Sequence, residues 1–186
     1  MRSIGNDIVD LQLAKTQSNW QRKGFLEKQF TAEEQEVILN SDNPFLQVWL
    51  FWAMKEAAYK CYVLECKKRF FAPKKLSCKI RSESKGIVMI ESKKYNVNYI
   101  ITGNYVYALA FENEIKKMVS DYFLIENNKQ QSQIINQKLV SHFDANTFVK
   151  KDKFGAPHLF CKEKKLPISI SKSHHGNYGA YAFLKY

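Results

Sequence analysis

The chain has 186 residues, with 29 Lys or Arg against 18 Asp or Glu, which gives a formal net charge of +11. Because 45% of its residues are hydrophobic and 14% aromatic, it can build a core, and global disorder is excluded. The charge predicts an acidic partner, such as nucleic acid, anionic lipid, a phosphorylated small molecule or an acidic protein. No apolar run approaches the roughly 18 residues of a bilayer span, and the N-terminus lacks a signal-peptide pattern. We therefore expect a cytoplasmic protein without a membrane partner.

The first part of the chain predicts one strand followed by helices. Residues 3–11 are typical of a short strand, and a helix is predicted over 17–29. Thr31 begins a T-x-x-E capping box, which starts a helix running to about Asn40. Residues 45–67 predict a long helix without Gly or Pro.

After Pro73 the pattern changes to segments rich in Ile, Val and Tyr that are separated by polar turns. They predict four strands, at 74–81, 86–92, 95–102 and 105–111. Residues 114–126 return to a helix-compatible periodicity, and 127–134 predict a linker or the start of a helix to His142. The last part of the chain predicts a turn at 155–157 and strands at 148–151, 158–162, 167–172 and 178–185.

Two hairpins echo each other. Gly103-Asn104-Tyr105 and Gly176-Asn177-Tyr178 each open a strand rich in aromatic residues and alanine, and each follows a strand containing isoleucine. A repeated hairpin of this kind predicts a duplicated α+β unit.

The long helix carries charges within a broad apolar face. Lys55, Glu56 and Lys60 are embedded among tryptophan, alanine, methionine and leucine residues. Ionised groups on a largely buried helix are costly unless they are paired or bind a metal or an anion. Glu56 and Lys60 are four residues apart and project from one side, so an exposed helix pair is the alternative interpretation.

Two further segments stand out. On the first strand, Asp7 shares a face with Gly5 and apolar residues, and Gly5 would allow another backbone or a ligand to approach closely. The alternative is a capping aspartate. Near the end of the chain, residues 171–176 crowd hydroxyls, a lysine and imidazoles before a glycine turn, which suits a phosphate-like ligand. The alternative is a polar hairpin tip.

Together these motifs resemble those of the 4′-phosphopantetheinyl transferases. Residues 5–9 (GNDIV) resemble the family's G-x-D-I-V opening, and residues 30–34 (FTAEE) resemble the helix start that follows it. Residues 52–60 (WAMKEAAYK) match W-x-x-K-E-A-x-x-K without a departure, residues 173–178 (SHHGNY) resemble S-H-S-G-D-Y, and residues 154–159 (FGAPHL) resemble the G-K-P-x-L turn.

The resemblance implies an enzyme that moves the phosphopantetheine arm of coenzyme A onto a serine of an acidic acyl or peptidyl carrier protein, releasing 3′,5′-ADP. Asp7 and Glu56 would hold Mg²⁺ against the pyrophosphate of coenzyme A, and Lys60 would contact the transferring phosphate. Glu56, or a metal-bound water, would take the serine proton. These roles fit a reaction that depends on positioning and charge neutralisation.

The same resemblance assigns Ser173 and His174 to the nucleotide and phosphate end of coenzyme A, with Lys153 assisting. Three positions depart from the family pattern. Val9 stands where two-domain members often carry a second acid, which leaves two carboxylates, as in the short holo-acyl-carrier-protein synthases of fatty acid biosynthesis. Ala156 replaces the lysine of G-K-P, and His175 replaces the second serine of S-H-S.

The resemblance also implies the fold class, an α+β protein of two related halves that form a pseudo-dimer. Residues 1–113 hold the metal and catalytic motifs, and residues 114–186 hold the Ser-His motif. This division predicts one site shared by two halves of a monomer. The alternative is a homotrimer of the short type with an insertion near 68–150.

Two other functions are compatible with the sequence. A catalytically silent relative would still bind coenzyme A or a carrier protein, and the changes at Val9 and Ala156 favour it. A basic nucleic-acid-binding module would explain the charge and the aromatic residues, although it would not explain Glu56 within an apolar helix. We therefore expect no nucleic-acid partner.

Overall fold

In the computed structural model, which describes residues 3–70, 72–113, 117–126 and 128–185, ten strands form two antiparallel sheets of five. The strands are β1 (Ile4–Asp10), β2 (Leu76–Ser82), β3 (Lys85–Ile90), β4 (Lys93–Ile101), β5 (Tyr105–Phe111), β6 (Met118–Leu124), β7 (Thr147–Lys151), β8 (Pro157–Cys161), β9 (Lys164–His175) and β10 (Tyr178–Leu184). The helices are α1 (Leu11–Gln17), α2 (Phe25–Gln29), α3 (Ala32–Leu39), α4 (Pro44–Cys66) and α5 (Gln131–Val140).

The two sheets follow the same plan. Their strand orders are β1-β5-β4-β3-β2 and β6-β10-β9-β8-β7. In each half the chain forms one strand, then a helical segment, and then a four-stranded meander, and the last strand of the meander pairs with the first strand of the half. One hydrogen bond recurs at the same place in both halves. The Leu11 amide donates to the Asn104 carbonyl at 2.8 Å, and the Ile125 amide donates to the Asn177 carbonyl at 2.7 Å. The predicted α+β fold of two related halves is confirmed.

Most of the predicted elements are confirmed. Thr31 and Glu34 form the capping box at the start of α3, and α4 runs without interruption over 23 residues. Of the two interpretations of residues 127–134, the helix is correct, since α5 begins at Gln131.

Two predicted helices are wrong. Between 17 and 29, helix α1 ends at Gln17 and α2 begins only at Phe25, after Gly24 in the left-handed region with φ of +80°. Within 114–126, residues 118–124 form strand β6, because they pair along their whole length with β10, and this pairing overrides the local periodicity. Residues 114–116 and 127 of these predictions lie outside the described residues.

Helix α4 lies across the first sheet and forms the largest core with it. Gly5 allows this close packing, because a Cβ at that position would overlap the carbonyl oxygen of Ala57. A second, smaller core lies between the two sheets and is built from β1, β5 and β10. A third packs α5 against the second sheet. Strand β1 therefore lies between α4 and the second half of the chain.

Among the described residues, no helix is both long and apolar enough to cross a membrane.

Candidate active site

The first half contributes two carboxylates and a lysine where β1 passes under α4. Lys60 donates to the Asp7 carboxylate at 2.9 Å and to the carbonyl oxygen of Asn6 at 2.7 Å. Because Gly5 lets the helix approach, Asp7 on β1 comes close to Glu56 and Lys60, one turn apart on α4. The structure thus brings together three of the residues that the sequence predicted.

Glu56 occupies an unusual environment for a carboxylate. Burial raises its pKa, the nearby charge of Asp7 raises the pKa further, and Lys60 counteracts both. Within the described part of the chain it has no hydrogen-bond or ion-pair partner. A half-buried carboxylate in such surroundings can accept a proton or ligate a cation.

Lys55, the third charged residue predicted within the helix face, has a structural role. Its ammonium group is buried, lies 2.6 Å from the Glu34 carboxylate, and also donates to the carbonyl oxygens of Gln29 and Pro73. It therefore joins α4 to α3 and to the segment before β2, away from Glu56.

Glu56 and Lys60 form one wall of a cavity of about 240 Å³ between α4 and the second half. The opposite walls come from the turn between β7 and β8, from β9 and from the start of α5. Besides Lys60, four nitrogen-bearing side chains line this cavity, namely those of Arg69, Lys151, Lys172 and His174. A cavity with this lining suits a ligand that carries several phosphate charges.

Burial in the cavity and neighbouring lysines lower the pKa values of two of these side chains. Burial and the charge of Lys151 lower the pKa of Lys172 to about 8. Burial and the neighbouring lysines, Lys172 first among them, lower the pKa of His174. Lys172 is held in place by Asn136 and Ser132 of α5, at 2.5 and 3.2 Å. Crowded cations of this kind are stabilised when an anion enters.

The structure separates the two residues of the predicted Ser-His motif. His174 lines the cavity, whereas the Ser173 hydroxyl points to β1 and accepts from the Asn6 side chain at 3.1 Å. Lys153 is not among the residues that line the cavity; its side chain is exposed, and its ammonium lies 5.2 Å from the ring centre of Phe154.

Sequence reasoning missed Arg69, Lys151 and Lys172 as individual site residues. Alternation along β9 could have identified Lys172, because it shares a face with His174 while the serines share the other. Nothing in the sequence places Arg69 and Lys151, which reach the cavity from distant segments.

The three departures from the family pattern also have a structural setting. Val9 is buried in the main core, Ala156 lines the cavity, and His175 accepts from the Asp10 amide through Nδ1 at 2.9 Å. Asp10 does not replace an acid at Val9: it caps α1 through the Gln12 and Leu13 amides, and its second oxygen accepts from the Asn177 amide at 3.0 Å. Asp10 thereby fixes the β9–β10 turn of the second half.

The donor set at Asp7 and Glu56 fits a magnesium ion. Mg²⁺ typically takes one or two protein carboxylates and completes its shell with substrate phosphates and water. Glu56 makes no hydrogen bond or ion pair with another described residue, and it is close enough to Asp7 for the charge of Asp7 to raise its pKa. No group of three or more His, Cys, Asp or Glu side chains that could hold a metal occurs among the described residues.

Comparisons with known proteins identify the family of the chain. No curated protein sequence matches the chain. A solved structure, the holo-[acyl-carrier-protein] synthase (AcpS) of Thermotoga maritima, is similar with a TM-score of 0.47 and 13% identity, over 84% of this chain and 82% of that one. The sequence profile of the 4′-phosphopantetheinyl transferase superfamily matches residues 3–110, more than half of the chain, and this range contains Asp7, Glu56 and Lys60. The chain therefore belongs to the 4′-phosphopantetheinyl transferase superfamily.

Proposed function

We propose that the protein transfers 4′-phosphopantetheine from coenzyme A to a serine hydroxyl of an acyl or peptidyl carrier protein and releases 3′,5′-ADP. The observation that carries this proposal is the cavity in which Glu56 and Lys60, the latter paired with Asp7, face nitrogen-bearing side chains of the second half. Those side chains are Lys151, Lys172 and His174, and Arg69 of the first half also lines the cavity. Within one chain, acids that can ligate a metal thus oppose cations that can bind a polyanion.

The cations of the second half would bind the phosphate groups of coenzyme A. Lys60 uses two of its three N–H donors on Asp7 and Asn6, so one donor stays available for the transferring phosphate. Asp7 and Glu56 would hold Mg²⁺, which would neutralise the pyrophosphate charge and orient it.

Glu56 would also accept the proton of the acceptor serine. The serine oxygen attacks the phosphorus that carries the pantetheine arm, the bond from that phosphorus to the 3′,5′-ADP oxygen breaks, and the serine proton moves to Glu56. A pKa raised by burial makes the Glu56 carboxylate a better base than an exposed one.

We further propose that the units 1–113 and 114–186 share this one site in a monomer, that the protein acts in the cytoplasm, and that its acceptor is acidic. Size-exclusion chromatography with light scattering checks the oligomeric state. A single chain has a mass of 21.8 kDa, so a mass of about three times that value would favour the trimer and contradict this part of the proposal.

A catalytically silent relative is the second candidate. The observation that favours it is the Lys60–Asp7 ion pair, which already neutralises one of the two carboxylates without a metal. Such a protein would bind coenzyme A or a carrier protein and would transfer nothing.

One assay separates the two candidates. Apo-carrier proteins of the fatty-acid, polyketide and peptide-synthesis types are incubated with coenzyme A, Mg²⁺ and the protein, and their intact masses are recorded. We expect at least one carrier to gain one phosphopantetheine group, and chelation of the metal to prevent it. Binding of coenzyme A without any gain across the three types would favour the silent relative, and absence of both would refute the proposed function.

A further inference from the structure

The outer edge of β1 is closed by side chains of the second half. On the edge of β1 that does not pair with β5, three backbone amides donate to side chains of β9. Ile4 donates to Ser169 Oγ at 3.1 Å, Asn6 to Ser171 Oγ at 2.9 Å, and Asp10 to His175 Nδ1 at 2.9 Å. We call these three β9 residues the side-chain ladder. An unpaired strand edge exposes its amides, and the ladder satisfies three of them without adding a strand.

The spacing of the ladder shows that the two strands are aligned. Each donor and its acceptor are 165 residues apart, so β1 and β9 run in the same direction and stay in register over seven residues. Since side chains alternate along a strand, the ladder uses one face of β9, while Lys172 and His174 on the other face line the cavity. One strand thus binds β1 and carries the cations.

Asn6, the residue before Asp7, is fixed from both sides. It is fully buried, its amide donates to Ser171, and its side chain donates to Ser173. Its carbonyl oxygen accepts from Lys60, which also binds Asp7. The backbone next to the carboxylate is therefore held between the second half and α4.

The corresponding edge in the second half has no such ladder. When the two halves are aligned by strand register, β6 is equivalent to β1, and β4 is equivalent to β9. The β4 positions equivalent to Ser169 and Ser171 are then Asn96 and Asn98, and Thr102 is equivalent to His175. No hydrogen bond joins β6 to β4 within the part of the chain that the structure describes. The ladder therefore occurs beside Asp7 and not at the equivalent edge.

We propose that the side-chain ladder of Ser169, Ser171 and His175 is a positioning device, which sets the place of Asp7 relative to Glu56 and thereby the affinity of the site for a divalent cation. This inference rests on the proposed function, because it assumes that Asp7 and Glu56 bind the cation. Its strongest rung is Ser171, which holds the residue next to Asp7, whereas Ser169 and His175 act three residues away on either side.

The test compares two serines that make the same bond. Ser171→Ala and Ser169→Ala each leave one buried amide of β1 without an acceptor, so both should lower the melting temperature to a similar extent. Mn²⁺ binding, followed by electron paramagnetic resonance with coenzyme A present, should weaken about tenfold in Ser171→Ala and change little in Ser169→Ala. Ser171→Thr keeps the hydroxyl and should restore the affinity.

Because Ser171 also lines the cavity, the affinity of each variant for coenzyme A is measured in parallel without divalent cations. A loss of that affinity confined to Ser171→Ala would assign the Mn²⁺ effect to contacts with coenzyme A and overturn the inference. An equal loss of Mn²⁺ affinity in both alanine variants, or an unchanged affinity in Ser171→Ala, would assign the ladder to stability alone and overturn the inference.

Amide hydrogen exchange separates this inference from the proposed function. The Asn6 amide should exchange slowly in the wild type and faster in Ser171→Ala, whatever the reaction is. Slow exchange with no Mn²⁺ binding by the wild type would contradict the metal role of Asp7 and Glu56 and the inference with it. Normal Mn²⁺ binding with a rapidly exchanging Asn6 amide would contradict the ladder alone.

Discussion

In the first half a helix of 23 residues, α4, crosses its sheet, whereas the second half has the ten-residue α5 between its first strand and its meander. The long helix carries Glu56 and Lys60 past β1, and α5, with the sequence QSQIINQKLV, contains no acid. Conversely, the second meander carries Lys151, Lys172 and His174. The same topology is thus used once for the acids and once for the cations.

Strand register makes the comparison specific. The hydrogen bond that occurs in both halves makes Leu11 equivalent to Ile125. With β1 paired to β5 and β6 paired to β10, Asp7 on β1 is then equivalent to Asp121 on β6. Gly5, which lets α4 approach, corresponds to Val119. Asp121 is exposed and has no acid on α5 to join it. An aspartate on this strand is therefore insufficient without the glycine and the acidic helix.

The same register aligns the cavity face of β9 with an apolar counterpart. His174 corresponds to Ile101, which is partly exposed, and Lys172 corresponds to Tyr99, which is buried. Neither position carries a cation for a phosphate. We infer that only one of the two equivalent seams between the halves is used as a site.

The largest expected effect is a loss of the transfer rate when Asp7 or Glu56 is replaced, but not when the equivalent Asp121 is replaced. Glu56→Gln and Asp7→Asn each remove a proposed cation ligand and should lower the transfer rate by about a hundredfold or more, with an unchanged circular dichroism melt. The matched control is Asp121→Asn, for which we expect the wild-type rate in the intact-mass assay. An equal loss of the transfer rate in Asp7→Asn and Asp121→Asn would contradict the assignment of the site to Asp7 alone.

The second prediction concerns the cations. Replacing both Lys151 and Lys172 by Ala should weaken coenzyme A binding about 10- to 100-fold in calorimetry, because two charge-assisted contacts are lost. Lys150→Ala, on the opposite face of β7, is the control and should bind normally. Lys153→Ala should behave like this control, since Lys153 is outside the cavity; strong weakening there would instead support the role implied by the sequence.

Two glycines at equivalent turns give the third prediction. Gly176 has φ of +55°, and a Cβ there would overlap the Asp10 carboxylate, whereas a Cβ at Gly103 would meet open space. Gly176→Ala should therefore destabilise the protein by about 1–3 kcal/mol, and Gly103→Ala should leave the free energy of unfolding nearly unchanged. Urea titrations measure both. A large loss of the free energy of unfolding in Gly103→Ala would contradict the difference between the two turns.

The smallest expected effect is a pH dependence. With its pKa lowered to about 8, Lys172 is mostly charged at pH 7 and mostly neutral at pH 9, so the cavity loses positive charge as the pH rises. Coenzyme A affinity should then fall about threefold to tenfold over this range. Lys172→Arg stays charged and should flatten the profile. An equal fall in both proteins would assign the dependence to another group.

The sequence was informative where the chemistry is local. The capping box at Thr31, the long helix and the face of β1 that carries Asp7 were all predictable, because a cap, an uninterrupted apolar helix and strand alternation depend on neighbouring residues. The strand at 118–124 was not, because only its pairing with β10 determines it.

The candidate site divides in the same way. Asp7, Glu56, Lys60 and His174 stand in motifs and were predicted, whereas Arg69 and Lys151 reach the cavity through the packing of one half on the other. Ser173 shows why a motif can mislead about orientation, since its neighbour His174 lines the cavity and Ser173 itself binds Asn6.

The central claim is that the acids of one half and the cations of the other form a single site within one chain. Its most direct test is intact-mass analysis of an apo-carrier protein with the wild type, with Glu56→Gln, with the Lys151→Ala, Lys172→Ala double variant, and with the two variants co-expressed. We predict a phosphopantetheine gain for the wild type and a comparable, severe loss in each variant that co-expression does not repair. Recovery of transfer by the co-expressed pair would show that the site is built between chains and would contradict the account.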